Sequence, residues 1–317
     1  MRRVLVTGAS GFIGGHLIAS LAARPEWEVV GSSRRLQQKN TSFLPVQADE
    51  TTTREQWCDL LSGCKYVVHT AARAHILKKT ASQNEVRFHQ VNVGMSENLV
   101  QAAMDAGVKR FVFLSTIGVH GQSGGQPITE QTVLNPASHY AHSKLAAEQA
   151  LLQLTAESNM ELCILRPPLV YGPGVGGNFH TLIKVANTGL PLPLGSINNQ
   201  RSFINSANLV DLIHTCLLHP AAANETYVLA DGEDVSTPQL LSLMGEFLDK
   251  PVRLFPFPFS VLKLAARLVG QHEKLEKISA SLRVDATKVS EQLDWQPSCS
   301  MREGLRQTLS AYRRREL

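Results

Sequence analysis

The sequence predicts an α/β fold in which a doubly wound parallel sheet is followed by a smaller mixed lobe. Through the first half of the chain, short apolar runs alternate with helical patterns, which is typical of a parallel sheet with right-handed crossovers. The apolar runs are continuous, as expected for parallel strands buried on both faces. After residue 167, glycine and proline cluster in loops, so we divide the chain into residues 1–166 and a second lobe, residues 167–317, with some return of the chain to the main sheet.

Six buried strands are predicted before this boundary. Their sequences are RRVLVT, WEVVGS, FLPVQAD, KYVVHTA, RFVFLS and ELCILRP. Helical patterns predict helices over residues 12–23, 84–106 and 140–157. In the second lobe, loops such as RPPLVYGPGVGGN alternate with short helices, and one further strand is predicted at TYVLA. We expect this lobe to lie over the carboxyl edge of the sheet, where ligands bind in open α/β folds.

The composition is that of an ordinary globular protein. Of 317 residues, 43% are hydrophobic and 18% are charged, and the formal net charge of +4 does not indicate nucleic-acid binding. No apolar run reaches the roughly 20 residues that a membrane helix requires. The nearest run, FPFPFSVLKLAARLVG, contains prolines and basic residues. It predicts an amphipathic helix packed on the protein, with attachment to a membrane surface as the alternative.

The start of the chain and its cysteines favour a cytoplasmic protein. The apolar run after MRR is too short for a signal peptide and leads directly into a glycine loop. The five cysteines form no CxxC pair, which favours reduced thiols over a disulfide framework. His139 and His142 have no carboxylate or cysteine cluster near them in the sequence, so no metal site is predicted.

The loop after the first strand predicts a Rossmann-type dinucleotide-binding domain over residues 1–166. In VLVTGASGFIGGHL, three glycines with the spacing GxxGxxG separate a strand from a helix. Glycines here permit a tight turn and close approach of a pyrophosphate, whose charge the helix N-terminus favours. A purely structural turn is the alternative. The predicted cofactor contacts in this loop are Gly8, Ser10, Gly11, Phe12, Ile13 and Gly14.

A tyrosine and a lysine in HYAHSKLAAEQ are candidate catalytic residues. Tyr140 and Lys144 are four residues apart on a predicted helix, so they lie on one face. An ammonium close to a phenol favours the phenolate, and the tyrosine can then exchange a proton with a substrate hydroxyl near neutral pH. A helix-surface pair is the alternative reading of this spacing. Ser115 and Thr116 end a strand of the same sheet, where a hydroxyl can hold a substrate oxygen beside the tyrosine.

Several linked motifs make the chain resemble the extended short-chain dehydrogenase/reductase family, which includes nucleotide-sugar epimerases and dehydratases. The motifs are the glycine loop, VVHTAA, VNVGMSENLVQAA, STIGVHG, HYAHSK and LRPPLVYGPG, in that order along the chain. The resemblance implies that Tyr140, Lys144 and Thr116 are catalytic. It also implies further cofactor contacts from Asp49, Ala71, Ala72, Ser115, Tyr140, Lys144 and Pro167. His120 replaces the usual tyrosine of the family's VYG element, which we expect to alter packing more than chemistry.

The end of the second strand predicts a preference for NADP(H), with NAD(H) as the alternative. Ser33 occupies the place where NAD-using relatives carry an aspartate, and Arg34 and Arg35 follow it. An aspartate there would accept a hydrogen bond from the 2′-hydroxyl of NAD and repel a 2′-phosphate, whereas serine and arginine favour the phosphate. Solvated loop charges are the alternative reading of the arginines.

The resemblance implies a UDP-sugar substrate held by the second lobe. Arg201, in NNQRSFINSANLVD, falls where relatives contact the diphosphate, and Asn178 resembles another nucleotide-sugar contact at the start of a helix. Arg283 is a third candidate. A surface ion pair is the alternative for Arg201, and a structural salt bridge is the alternative for Arg283. Two departures from the family pattern are Leu169, where several epimerases have asparagine, and Asn208, where an acid is common.

The predicted reaction is NADPH-dependent reduction of a 4-keto UDP-sugar, such as a 6-deoxy N-acetyl hexose made for bacterial surface polysaccharide or O-antigen. The first alternative is a UDP-hexose 4-epimerase, which recycles one bound NAD. A dehydratase is disfavoured because Ile117 and Gly118 stand where dehydratases of this family have an Asp-Glu pair. A nucleotide-sensing scaffold without catalysis is the remaining alternative. By analogy with the family, we expect a homodimer formed through a four-helix bundle of the helices predicted over residues 84–106 and 140–157.

Overall fold

A computed structural model describes residues 1–35, 43–74, 81–121 and 125–316. Its main element is a sheet of seven parallel strands, which are β1 (Arg2–Thr7), β2 (Trp27–Ser33), β3 (Leu44–Gln47), β4 (Tyr66–His69), β5 (Arg110–Leu114), β6 (Glu161–Arg166) and β9 (Glu225–Val228). Their order across the sheet is β3-β2-β1-β4-β5-β6-β9. This order reverses direction at β1 and β4, so the crevice at their carboxyl ends is the switch point of the sheet. The doubly wound α/β prediction is confirmed.

The first-half helices are α1 (Phe12–Ala22), α2 (Arg54–Leu60), α3 (Ala81–His89), α4 (Met95–Asp105) and α5 (His139–Thr155). The single helix predicted over residues 84–106 was wrong in one respect, because a π-helical segment, Gln90–Gly94, separates α3 from α4. π-Helical turns are often found at functional sites. Here the turn carries Asn92, which is buried and bonds both backbone groups of Arg73 and the hydroxyl of Ser143. The segment therefore ties the loop after β4 to α5.

The second lobe contains more strand than the sequence predicted. Two three-residue strands, β7 (Leu169–Tyr171) and β8 (Phe203–Asn205), form a separate parallel pair. The prediction of one strand after residue 167 was wrong because these strands are too short to show a periodic pattern and lie among loops. β9 corresponds to the predicted strand and joins the main sheet. The helices here are α6 (Gly177–Asn187), α7 (Ser206–Leu218), α8 (Thr237–Phe247), α9 (Phe259–Leu268), α10 (His272–Ser279), α11 (Thr287–Leu293) and α12 (Met301–Glu316).

Apolar side chains fill both faces of the main sheet and a third core in the second lobe. On one face α1 and α7 bury residues such as Leu17 and Leu212, and on the other α4 and α5 bury Leu99 and Leu151. The third core lies among β7, β8, α6, α8 and α12. No described helix is both long and apolar enough to cross a membrane.

A buried carboxylate joins the second lobe to the sheet. Asp231, which follows β9, accepts hydrogen bonds from the Tyr171 hydroxyl, the Asn205 backbone and the Asn208 amide. Burial raises the pKa of Asp231 to about 6. An acid at position 208, as is common in the family, would place a second carboxylate against the first, so the amide of Asn208 is the residue type that this contact requires.

Candidate active site

The carboxyl ends of the strands open into one cavity of about 590 Å³. Most of the residues predicted to contact a cofactor or to act in catalysis line it. They are Gly8, Ser10, Gly11, Phe12, Ile13, Gly14, Ser33, Arg34, Asp49, Ala71, Ala72, Ser115, Thr116, Tyr140 and Pro167. The structure thus brings together residues that are up to 159 positions apart in the chain, because parallel strands direct all their carboxyl ends to one edge. Of the predicted cofactor contacts, Arg35 and Lys144 do not line the cavity.

The glycine loop is built so that side chains would not fit. Gly8 has φ +74°, and a Cβ there would lie 2.9 Å from the backbone nitrogen of Ala71. A Cβ at Gly14 would lie 2.2 Å from the carbonyl oxygen of Gly8. These two glycines therefore allow the loop, α1 and the end of β4 to approach each other closely. Helix α1 begins at Phe12, and Gly11 before it provides no side-chain cap, which leaves the first N–H groups of the helix for a ligand.

A buried histidine links the ends of β1 and β4 beneath this loop. His69, at the end of β4, has Nδ1 2.6 Å from the Thr7 hydroxyl and Nε2 2.9 Å from the Ser96 hydroxyl. Thr7 in turn accepts a hydrogen bond from the backbone of Ala71. Burial lowers the pKa of His69 to about 3, so the ring is neutral. The sequence marked His69 only as part of the VVHTAA motif and did not assign it this contact.

At the adenosine end of the expected cofactor, the structure separates the two arginines. Ser33 is buried at the end of β2 and donates to the carbonyl of Arg35 at 2.6 Å. Arg34 lines the cavity, whereas Arg35 is exposed outside it. Asp49 lies nearby and accepts two hydrogen bonds from Thr51, which lower the pKa of its carboxyl group, with a smaller contribution from Arg34. Arg34 is therefore the arginine placed to meet a ligand.

Tyr140 and Lys144 lie one turn apart on the buried face of α5. Tyr140 lines the cavity, and Lys144 is buried behind it with Nζ 3.9 Å from the centre of the Phe113 ring. Burial lowers the pKa of Lys144 to about 7 and raises that of Tyr140 to about 12. The expected lowering of the phenol pKa by the lysine is therefore not found in the chain alone, because desolvation dominates. A cation bound in the cavity would favour the phenolate.

Two hydroxyls at the end of β5 face the same cavity. The Thr116 hydroxyl oxygen accepts from the backbone N–H of Gly118 at 3.1 Å, which leaves its proton available to donate to a ligand. Ser115 Oγ is buried and has no hydrogen-bond partner among the described residues. A buried polar atom without a partner costs free energy, so the position of Ser115 at the cavity wall suits a hydrogen bond to a ligand.

Behind Lys144, three buried residues that the sequence did not assign to the site form a chain. Glu148 lies one turn beyond Lys144 and accepts from the guanidinium of Arg166, with Nη2 to Oε2 at 2.5 Å. A second Arg166 nitrogen lies 3.0 Å from Nε2 of His120, whose Nδ1 is 2.9 Å from the Thr132 carbonyl. The carbonyl requires the proton on Nδ1, so Nε2 accepts from Arg166. Glu148 follows Lys144 by four residues, as Lys144 follows Tyr140, and this spacing is the sequence signal that could have assigned Glu148 to the site.

Of the predicted substrate residues, Thr116 lines this cavity, whereas Asn178, Arg201 and Arg283 do not. Asn178 is exposed in the first turn of α6. Arg201 is largely buried, and its Nη1 donates to the carbonyls of Lys277 and Ala280. Arg283 Nε donates to Asp234 at 3.0 Å, so the salt bridge kept as the alternative is present. The structure does not bring these three residues into one group with Tyr140.

The described residues fit a nicotinamide dinucleotide. The cradle at Gly8 and Gly14 is closed to side chains, the N-terminus of α1 lacks a cap, and Ser115 presents an unpartnered hydroxyl. Arg73, also at the cavity, has a buried Nε without a partner among the described residues. These features suit an anionic, elongated ligand with several hydrogen-bonding groups.

Comparison with known proteins finds relatives named as nucleotide-sugar enzymes. The chain is 37% identical over 314 residues to a UDP-glucose 4-epimerase of Vibrio cholerae, covering 98% of this chain and 95% of the relative. It is 26% identical over 327 residues to a GDP-6-deoxy-D-mannose reductase of Pseudomonas aeruginosa, covering 99% and 98% of the two chains.

Solved structures share the fold. A UDP-glucuronic acid 4-epimerase from Bacillus cereus in complex with NAD superposes with a TM-score of 0.81 at 22% identity, covering 98% of this chain and 96% of the other. RMD from Pseudomonas aeruginosa complexed with NADPH gives 0.77 at 23%, covering 99% and 100%. Residues 4–230 match the family described as the NAD dependent epimerase/dehydratase family. Together with the glycine cradle and the Tyr140–Lys144 pair, this match shows that the chain belongs to the NAD dependent epimerase/dehydratase family.

Proposed function

We propose that the protein is an NADP(H)-dependent oxidoreductase that reduces a 4-keto group of a UDP-sugar. The observation that carries the proposal is that one cavity is lined both by Tyr140 and Thr116 and by Ser33 and Arg34. The first pair suits proton transfer to a carbonyl oxygen, and the second suits a phosphorylated ribose. A bound NADPH would supply the hydride.

The chain's own residues divide the remaining work. The Tyr140 hydroxyl donates the proton that converts the C4 carbonyl oxygen into a hydroxyl, while Thr116 donates a hydrogen bond to the same oxygen. Lys144 lies one turn away and favours the tyrosinate that remains after the transfer. Ser115, Gly8 and the free N-terminus of α1 hold the cofactor.

The NADP(H) preference rests on the absence of a carboxylate at position 33 and the presence of Arg34 at the cavity. A carboxylate would repel a 2′-phosphate, whereas a guanidinium donates two hydrogen bonds to phosphate oxygens. The relatives include a reductase by name, and RMD is complexed with NADPH. A net reductase takes its hydride from NADPH that exchanges with the cellular pool, so a preference for NADP(H) favours reduction.

For the substrate, we propose a UDP-linked 4-keto-6-deoxy-N-acetyl hexose, which the enzyme reduces in the cytoplasm as a precursor of surface polysaccharide. The UDP portion follows the name of the Vibrio cholerae relative. We propose that Asn178 and Arg201 contact the diphosphate, with Arg201 using the guanidinium nitrogens that do not bond Lys277 and Ala280. Arg283 has the weakest support of the three because it is engaged with Asp234.

The second candidate is a UDP-hexose 4-epimerase. The 37% identity to a UDP-glucose 4-epimerase favours it. An epimerase oxidises C4 and reduces the same carbon, so it needs no external reductant and keeps its NAD bound.

The experiment that separates the two begins with the purified protein. The protein is denatured, and any released nicotinamide nucleotide is identified by mass spectrometry. The protein is then assayed with NADPH and a 4-keto UDP-sugar, and separately with UDP-glucose and UDP-N-acetylglucosamine alone. Stoichiometric NAD with interconversion of the 4-epimers would overturn the reductase proposal. An empty site or NADP(H), with NADPH oxidised only when the keto sugar is present, supports it.

We also propose a homodimer through α3, α4 and α5. These helices pack side by side, and Val86 and Leu152 expose apolar side chains on α3 and α5. A Leu152→Arg variant that stays dimeric in sedimentation equilibrium would argue against this interface.

A further inference from the structure

Helix α9 and the segment before it carry an apolar surface that the proposed reaction does not use. Its members are large hydrophobic side chains with 39% to 81% of their surface exposed. We call this set the α9 face, and it consists of Phe255, Phe259, Val261, Leu264, Leu268 and Val269. The sequence predicted an amphipathic helix packed on the protein here, and the structure shows that the outward side is also apolar.

The outward residues follow helical spacing. Val261, Leu264 and Leu268 are separated by three and four residues, so they form one stripe along α9. The opposite side holds the helix to the protein, since Ala266 is buried and Leu262 packs against the core of the second lobe. The helix therefore already has its protein contacts, and the stripe points away from them.

Basic residues accompany this stripe. The segment from residue 250 to residue 277 contains six lysines and arginines against two glutamates, a formal charge of +4 that equals the charge of the whole chain. Lys263 pairs with Glu276, while Arg267 is exposed and has no ion pair among the described residues. An apolar stripe with a basic flank is the arrangement of helices that lie in the interface of an anionic bilayer.

Helix α9 contacts α10, which belongs to the part of the lobe that holds Arg201. Helix α10 packs against α9, and Leu275 on α10 is buried. The carbonyls of Lys277 and Ala280, at and just after the end of α10, accept the hydrogen bonds of Arg201. Helix α9 is therefore linked through α10 to the backbone that holds this arginine.

From these observations we propose that the α9 face binds the surface of a membrane that contains anionic phospholipid, with α9 lying in the plane of the interface. Leucine, valine and phenylalanine enter the boundary between headgroups and acyl chains, and Arg267 lies among the lipid phosphates. The attachment is peripheral and is independent of the reaction in the cavity. A second copy of the chain is the poorer occupant, since a standard protein interface uses about 20–30 residues a side and the α9 face has six.

Vesicle flotation with the full-length protein tests this proposal. The vesicles contain three parts phosphatidylcholine to one part phosphatidylglycerol, and a second set contains phosphatidylcholine alone. We expect the protein to float with the anionic vesicles and to be released by high salt, because the attraction of basic residues is screened. The double variant L264E/L268E should bind the anionic vesicles at least about tenfold less, because charged side chains replace the two leucines that the proposal places in the bilayer interface.

The control is Val133→Glu, which introduces one glutamate at an apolar position that is 79% exposed and outside the α9 face. It should bind vesicles as the native chain does. The circular dichroism and thermal unfolding of all variants show whether they are folded. Absence of the native protein from the floated fraction would overturn the proposal. So would undiminished binding by L264E/L268E, or loss of a native dimer in that variant, which would assign the face to a second copy.

Discussion

Arg166 Nε lies 3.1 Å from Oε1 and 3.2 Å from Oε2 of Glu148, and the two side chains are buried together behind Lys144. Arg166 is the last residue of β6, and Glu148 lies within α5. The carboxylate therefore lies close to two basic side chains, Lys144 on its own helix and Arg166 on the strand. This arrangement compensates the buried positive charge next to the cavity.

Replacing Glu148 with glutamine should strongly destabilise the protein. The variant leaves the Arg166 guanidinium buried without its counter-charge, which costs about 3–5 kcal/mol. Urea unfolding of the cofactor-free protein measures the loss. The control is Glu291→Gln on α11, where the side chain is exposed and should change the free energy of unfolding by less than about 0.5 kcal/mol. Equal small effects would show that the Glu148 pair contributes little.

The depressed pKa of Lys144 predicts how stability depends on pH. Burial lowers it from 10.5 to about 7, so between these values the unfolded chain binds the proton and the folded chain does not. The free energy of unfolding should therefore rise with pH in this window, by up to ~1.4 kcal/mol per pH unit. Below pH 7 both states are protonated, and the contribution no longer changes.

Lys144→Met removes this titration. The difference in unfolding free energy between native and variant proteins, measured in urea from pH 7 to pH 9 without cofactor, should move in favour of the native chain as pH rises. A difference that is independent of pH would mean that the buried lysine keeps its proton in the folded state.

Replacing Tyr140 with phenylalanine should abolish most catalysis while preserving the cavity. Loss of a general acid lowers kcat by roughly 100- to 10,000-fold. Cofactor affinity, measured by fluorescence titration, should change only a few-fold because the ring remains against Phe88. Tyr66→Phe is the control and should retain full activity, because Tyr66 begins β4 at the end of the strand that is away from the cavity. A Tyr140→Phe enzyme with near-native kcat would exclude Tyr140 as the proton donor.

Two neighbouring glycines should respond in opposite ways to alanine. A Cβ at Gly14 would lie 2.2 Å from the Gly8 carbonyl oxygen, so Gly14→Ala should displace the loop and weaken cofactor binding severely. Gly15 lies within α1, and a Cβ there would be 3.7 Å from the carbonyl oxygen of Ala9, which is ordinary van der Waals contact. Gly15→Ala should therefore stabilise the fold by about 0.5–1 kcal/mol. Thermal unfolding and cofactor titration report the two effects. Similar behaviour of the two variants would contradict the close approach seen at Gly14.

The two arginines after β2 should differ in their effect on cofactor choice. Arg34 lines the cavity and Arg35 does not. Arg34→Ala should raise the KM for NADPH by roughly 10- to 100-fold, as expected for loss of a charge-assisted hydrogen bond, with little change in the KM for NADH. Arg35→Ala is the control and should leave both constants nearly unchanged. If Arg34→Ala affects NADPH and NADH equally, the 2′-phosphate does not meet this residue.

Much of the fold was predictable because its signals are local. Continuous apolar strands, the GxxGxxG turn after β1 and the Tyr140–Lys144 spacing are each contained in a dozen residues or fewer, and each predicts its element without knowledge of the rest. Parallel strands then bring their carboxyl ends to one edge, so the cavity that collects Gly8, Thr116 and Tyr140 follows from the strand order.

Other features depended on contacts that no local pattern encodes. Strands β7 and β8 form only by pairing two three-residue segments that are 34 positions apart in the chain. The π-helical turn carries Asn92, whose side chain bonds Arg73 and Ser143 from other parts of the chain. The Glu148–Arg166–His120 chain spans sequence separations of 18 and 46. The pKa values of Tyr140 and Lys144 depend on how completely the fold removes water from them, and the carbonyl partners of Arg201 depend on where α10 ends. The sequence by itself thus determined which residues could do the chemistry, and the tertiary structure decided which of them share a cavity and in what state of charge, because burial and long-range pairing arise only when the chain is folded.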